Sequence, residues 1–324
     1  MNIPRHWAEA RSQHREKGRQ ITVRRFGWSA TSPADAERMA HERVAEALQK
    51  ILGGAKLARF EAKVAYNGAD GVPIREEIVA EQGDCVITRN SYGALCLNTP
   101  DVLFADIDFE DRAEGKYGCL LILALVAGAI IAARVTDSVA VGIAGMIGGC
   151  VLVPWWLVKG LPWWRRRRGG LDRRAQRRIT EFVASHPTWR LRVYRTPAGL
   201  RVLAMHRTFA PGEPEVAAFF EALRCDPVYV RMCERQQCFR ARVSPKPWRI
   251  GVGPIRPRTG VWPLAAYALP AREAWVRQYQ AKSADYGSCH FLTELGGGTA
   301  HVKALAVQEL HDRLCRADTE LPIA

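Results

Sequence analysis

Hydrophobic positions recur with two different periods along this chain, and one long stretch follows neither. Residues 21–28 alternate apolar and polar side chains, the period of a strand. Ser32-Pro33-Ala34-Asp35 then forms a capping box with Pro at the first helical position, opening a helix expected to end near Gly53-Gly54. Strands are expected at 58–66, 85–88 and 94–97, with Asn67-Gly68 and Asp70-Gly71 as turn signals, and residues 102–109 read as a buried strand. Farther along, the pattern predicts a basic helix near 171–185 and a strand pair at 189–195 and 200–206 turning through Thr196-Pro197-Ala198-Gly199. Helices near 214–223 and 227–234 follow, then a strand at 238–243 and helices at 271–284 and 301–315. Residues 244–270 are Pro-rich and read as an ordered loop.

The exceptional stretch is 117–158. Residues 117–133 and 139–158 carry no charge and are separated by a short segment holding Arg134 and Asp137. A run of about 20 apolar residues is what a bilayer core requires of a helix, so a two-helix transmembrane hairpin is expected here. Gly145 and Gly149, and Ala124, Gly128 and Ala132, have the small-x3-small spacing that lets helix backbones approach in lipid. Trp155, Trp156, Trp163 and Trp164 stand where interfacial aromatics would. Arg112, Lys116, Lys159, the arginines at 165–168, Arg173, Arg174, Arg177 and Arg178 flank the pair, which by the positive-inside rule predicts an inner-membrane protein with both termini cytoplasmic. The same arginines, 165–178, would face anionic lipid headgroups.

The fold class that follows is α/β (α+β) with a mixed sheet: an N-terminal part at 1–116, the hairpin at 117–158 and a C-terminal part at 159–324. The two flanks are expected to complete one split domain. Composition sharpens this only in part. The net charge is +14, and Arg supplies 38 of the 47 basic residues, which favours anionic partners such as lipid, nucleotide or nucleic acid. The nine cysteines include no C-x-x-C pair, so free thiols are expected rather than a disulfide framework. The first 20 residues lack an apolar core, so no cleaved signal peptide is expected.

Candidate chemistry centres on Asp106 and Asp108, two apart on the 102–109 strand and therefore on one face. Carboxylates amid Val, Leu and Phe call for a compensating cation, and Mg²⁺ or Mn²⁺ is the usual one. Asp226 is a third carboxylate for the same metal site, and Arg201, Arg240, Arg242 and Lys246 could hold a triphosphate or a nucleic-acid backbone. Taken in order, the D-x-D strand, the strand–Gly–strand unit around Gly199-Leu200-Arg201, and Asp226 followed by Phe239-Arg240 and Ser244-Pro245-Lys246 resemble the archaeo-eukaryotic primase superfamily, its primase–polymerase branch above all. The resemblance covers about residues 84–110 and 171–250. It implies a metal-dependent nucleotide site, with Asp106, Asp108 and Asp226 as metal ligands and catalytic carboxylates. Arg201 stands where that superfamily has a phosphate-contacting His, a departure that leaves catalytic activity open. A D-x-D glycosyltransferase using a nucleotide sugar, and a non-enzymatic scaffold binding lipid or a partner, are the competing readings. Cys225, Cys233 and Cys238 lack zinc-site spacing and read as buried thiols, and His301 and His311 are expected to share no ligand role.

Overall fold

Alternation at the N-terminus extends beyond residues 21–28. Strands β1 (His6–Glu16) and β2 (Arg19–Ser29) form an antiparallel ribbon in full register, from His6 opposite Ser29 to Glu16 opposite Arg19. Helix α1 (Pro33–Leu52) covers one face, its first turn capped by the Ser32 side chain accepting from the Asp35 N–H. Ala10 of the ribbon packs with Ala40 and Val44 of α1, and Ile21 and Val23 pack with Ala47. Gly27 makes that approach possible: a Cβ there would sit 2.0 Å from the Ala36 carbonyl oxygen.

This computed structural model describes residues 1–16, 18–61, 72–109, 118–147, 155, 170–257 and 262–324. The turn dipeptides expected at 67–68 and 70–71 lie outside them. The chain divides into two compact units, residues 1–107 with 182–324, and residues 108–181.

In the larger unit, β3 (Glu77–Gln82), β4 (Cys85–Arg89), β5 (Leu95–Thr99) and β9 (Phe239–Arg242) form an antiparallel sheet in that order. A second sheet has the order β10 (His290–Leu295), β7 (Leu191–Thr196), β8 (Gly199–Ala204), β6 (Phe104–Asp108). Each sheet thus draws strands from before and after residues 108–181. Every residue of β8 is buried, as befits a strand covered on both faces. Helices α5 (Pro214–Leu223), α6 (Pro227–Gln236), α7 (Leu269–Ser283) and α8 (Val302–Cys315) complete this unit. Among the described residues between β9 and α7, short 3₁₀ turns occur at Pro247–Arg249 and Ala266–Ala268.

The smaller unit holds α2 (Gly118–Val135), α3 (Val139–Ile147) and most of α4 (Gly170–Ser185). Gly145 lies against Ala129, where a Cβ would come within 2.9 Å of the alanine methyl. Here the structure corrects the membrane expectation. Among the described residues no helix is long and apolar enough to cross a membrane. The 18 described residues of α2 reach about 27 Å, against a hydrocarbon core of about 30 Å, and include Arg134 in the last turn. Apolarity alone suggested a spanning pair, but apolarity does not fix helix length. The transmembrane hairpin over 117–158, and the inner-membrane location with cytoplasmic termini drawn from it, are not supported. Trp155 is exposed; Gly149, Trp156, Trp163, Trp164 and the arginines at 165–168 lie outside the described residues.

Candidate metal centre

Helix α8 turns one stripe inward: Ala304, Val307, Leu310, His311, Asp312 and Cys315 are all buried. His311 and Cys315 are four residues apart, so they share a helix face. The helix stops at Arg316, whose backbone adopts the left-handed conformation with φ 54°. The chain beyond it runs back along the segment that leads into β10. Ser288 N donates to Cys315 O at 2.9 Å, and Phe291 N donates to Ala317 O at 2.9 Å. Cys289 sits between these two bonds and so arrives beside Cys315, although 26 residues separate them in sequence.

The result is a buried group of three soft donors. One ligand atom each from Cys289, His311 and Cys315 lies within 4.8 Å of the others. His311 Nε2 is 3.4 Å from Cys315 Sγ. The imidazole is fixed from every side. Its ring lies 4.7 Å from that of Tyr194 on β7 and 5.2 Å from that of Phe104 on β6. Nδ1 is 2.9 Å from Asp312 Oδ1. In its neutral form, with the proton on Nδ1 donated to this carboxylate, the imidazole turns its Nε2 lone pair to the thiols. Asp312 also accepts from Gln308 Nε2 and from Arg192, each at 2.9 Å. Burial opposes its charge, but hydrogen bonds from His311, Gln308 and Tyr194 outweigh it and hold the carboxyl below its ordinary range.

Electrostatics divides the two thiols. The hydrogen bond to Cys315, with burial added, holds Cys289 well above the ordinary thiol range. Burial alone would push Cys315 up as well, but the Cys289 S–H and the His311 and Arg201 charges hold it well below that range.

Arg201 borders the group. It is 2 % exposed and points Nη1 to within 3.3 Å of His311 Nε2. Nε and Nη2 donate to Asp106 Oδ1 and Oδ2 at 2.8 and 3.1 Å, and Nη1 also donates to Arg242 O at 2.8 Å. Burial is the largest single influence and opposes the charge, but the Asp106 charge and hydrogen bonds, with the neighbouring thiols, together outweigh it and keep this guanidinium ionised.

Asp106 and Arg201 meet, as an ion pair. Asp108 ends β6 at the surface and falls in the smaller unit. Asp226 caps α6, accepting from Val228 N at 3.1 Å. Arg240 is buried and gives both Glu76 oxygens a hydrogen bond, at 2.8 and 2.7 Å. Arg242 donates to Ser244 O at 2.8 Å, and Lys246 Nζ lies 5.4 Å from the Trp248 ring centre. Cys225, Cys233 and Cys238 are buried free thiols, as their spacing suggested. The Cys289–His311–Cys315 group was missed. Its one local signal was the His-x3-Cys spacing on a helix; nothing local announces Cys289. No family model, curated protein or solved structure matches this chain.

Proposed function

We propose that this is a metal-binding protein in which Cys289, His311 and Cys315 hold one soft divalent ion, zinc above all, that ties helix α8 to the sheet β10-β7-β8-β6. The observation that carries the reading is the mutual approach of three buried sulfur and nitrogen donors. Two thiolates and an imidazole are the donor set that zinc prefers, with Zn–S about 2.3 Å and Zn–N about 2.0–2.1 Å. A His–Cys separation of 3.4 Å matches one edge of such a tetrahedron. The Asp312–His311 bond is the outer-shell support that metal-bound imidazoles usually have.

Charge balance agrees. Two thiolates neutralise the ion, Asp106 balances Arg201, and Arg192 balances Asp312. Arg201 keeps Asp106 and the Arg242 carbonyl as partners when the imidazole turns its lone pair to a metal. Complete burial of the donors favours a structural ion over one that meets substrate. The hard-metal nucleotide reading is less favoured by geometry, because the Asp106 carboxylate it needs is already engaged by Arg201 and the phosphate-gripping role of Arg240 competes with Glu76.

The test is elemental analysis of the full chain purified under reducing conditions. About one zinc per chain is expected. Cys289→Ser combined with Cys315→Ser should remove it, and chelation should lower the melting temperature of the wild type but not of that variant. Cobalt substituted for zinc should show thiolate-to-metal charge-transfer absorption. A metal-free wild type that takes up neither ion, with Cys289 and Cys315 fully titratable by a thiol reagent after unfolding, would sink the proposal.

A further inference from the structure

The face of the β1–β2 ribbon turned away from α1 is covered at one end, where Phe26 is 1 % exposed, and open at the other, where Arg11, Gln13 and Arg15 are exposed. By the period of the strands it carries Trp7, Glu9, Arg11, Gln13 and Arg15 from β1, and Gln20, Thr22, Arg24, Phe26 and Trp28 from β2. On this face β2 contributes one arginine, Arg24, and no acid. Arg11 and Arg24 stand directly opposite each other in the register. Like charges in that relation destabilise a ribbon, so their presence asks for another explanation. Arg11 is 61 % exposed and pairs with Glu9, 2.7 Å away. Arg15 is exposed and is matched across the ribbon by Gln20, 3.1 Å away.

Guanidinium groups and rings interleave at the other end of this face. Arg75 lies 4.9 Å from the Trp7 ring centre and 4.4 Å from that of Phe26. Arg24 lies 5.4 Å from Phe26 and 5.5 Å from Phe60, whose ring is 52 % exposed. Trp7 and Trp28 pair across the strands at 5.7 Å. Cations spaced along a flat ribbon, polar amides between them and ring faces at one end are what a single-stranded nucleic acid uses: phosphates meet guanidinium and bases stack. The far end of the ribbon, Arg15 to Gln20, offers no apolar side chain to bury in lipid.

We infer that the open part of the β1–β2 ribbon face binds single-stranded nucleic acid, with Arg11 and Arg15 contacting phosphates and the exposed Phe60 ring stacking on a base; Arg24 is held by the Glu61 carbonyl, to which its Nη2 donates at 2.8 Å. This does not depend on the metal centre.

The experiment is fluorescence anisotropy of the full-length protein with a labelled oligothymidine of about 20 nucleotides. Two phosphate contacts predict that affinity falls by roughly sevenfold between about 50 and 200 mM salt. R11E/R15E should weaken binding by at least about tenfold and flatten the salt dependence, and the milder R11Q/R15Q should do so in part, both with unchanged melting temperature. R173E/R174E, which alters a basic helix elsewhere, should change affinity less than about twofold. Three results overturn the inference: no binding at the lower salt, binding that R11E/R15E and R11Q/R15Q leave intact, or a matched duplex bound more tightly than the single strand. Binding to vesicles of phosphatidylserine and phosphatidylcholine, abolished by R11E/R15E while the oligonucleotide does not bind, would assign the face to membrane instead.

Discussion

Arg240 shows how far a single buried charge depends on one partner. Its guanidinium meets both Glu76 oxygens and Asn98 Oδ1, and Thr88 adds a third hydrogen bond to the same carboxylate at 2.7 Å. Both charged side chains are almost wholly enclosed. Burial by itself would favour neutral arginine, but neighbouring charges, Glu76 among them, keep it ionised. Removing the acid leaves a cation in a dry site. Glu76→Ala should therefore cost about 3–5 kcal/mol, read from urea unfolding, whereas Arg240→Met with Glu76→Leu should recover most of it. Equal losses in the single and double variants would refute this account. The same reasoning explains why the arginines misled at sequence level. Arg201 and Arg240 look like phosphate ligands because sequence shows their charge but not Asp106 or Glu76 facing them across 95 and 164 positions.

Elements were legible where their apolar positions are large. The helix α1, the strands β2, β4 to β9 and the helices α4 to α8 follow the sequence periods closely. Three strands escaped. In β1 the inward positions facing α1 include Ala8 and Ala10, whose small side chains give little hydrophobic signal. Strands β3 and β10 are half-exposed edge strands, so their alternation is weak. Small residues there reflect the spacing between helix and ribbon, which Gly27 sets. A methyl at that position would meet the Ala36 carbonyl oxygen and the Ala40 nitrogen, at 2.0 and 2.3 Å, and both are backbone atoms that cannot turn aside. Gly27→Ala should thus push α1 off the ribbon and cost about 1–3 kcal/mol by chemical denaturation, despite the better strand propensity of alanine. Loss below about 0.5 kcal/mol would mean that the helix can shift freely. The metal centre was illegible for a similar reason: its third donor is delivered by backbone pairing between the chain after α8 and the segment entering β10, not by local spacing.

At the scale of the whole molecule, stability should depend on pH through His206. Its ring lies 4.5 Å from Trp189 and 5.4 Å from Phe209, and burial, with Arg207 adding to it, lowers its pKa from 6.5 to about 4. The folded state therefore keeps this imidazole neutral where the unfolded chain protonates it. Unfolding takes up a proton in that interval, so the contribution is complete above about pH 6.5 and is lost progressively as pH falls toward 4. Because the ring is only half enclosed, solvent screening reduces the expected loss to about 1–2 kcal/mol. Asp35 acts in a separate and lower window: hydrogen bonds from Ser32, Arg38 and Thr31 depress it from 3.8 to about 2, so its contribution survives until more acid conditions. Urea midpoints should accordingly decline between pH 7 and 4.5, and His206→Gln should flatten that decline while leaving the profile below pH 4 unchanged. An NMR titration placing the His206 imidazole at its ordinary pKa in the folded protein would remove the basis for the effect, and any acid sensitivity would then have to come from elsewhere in the chain.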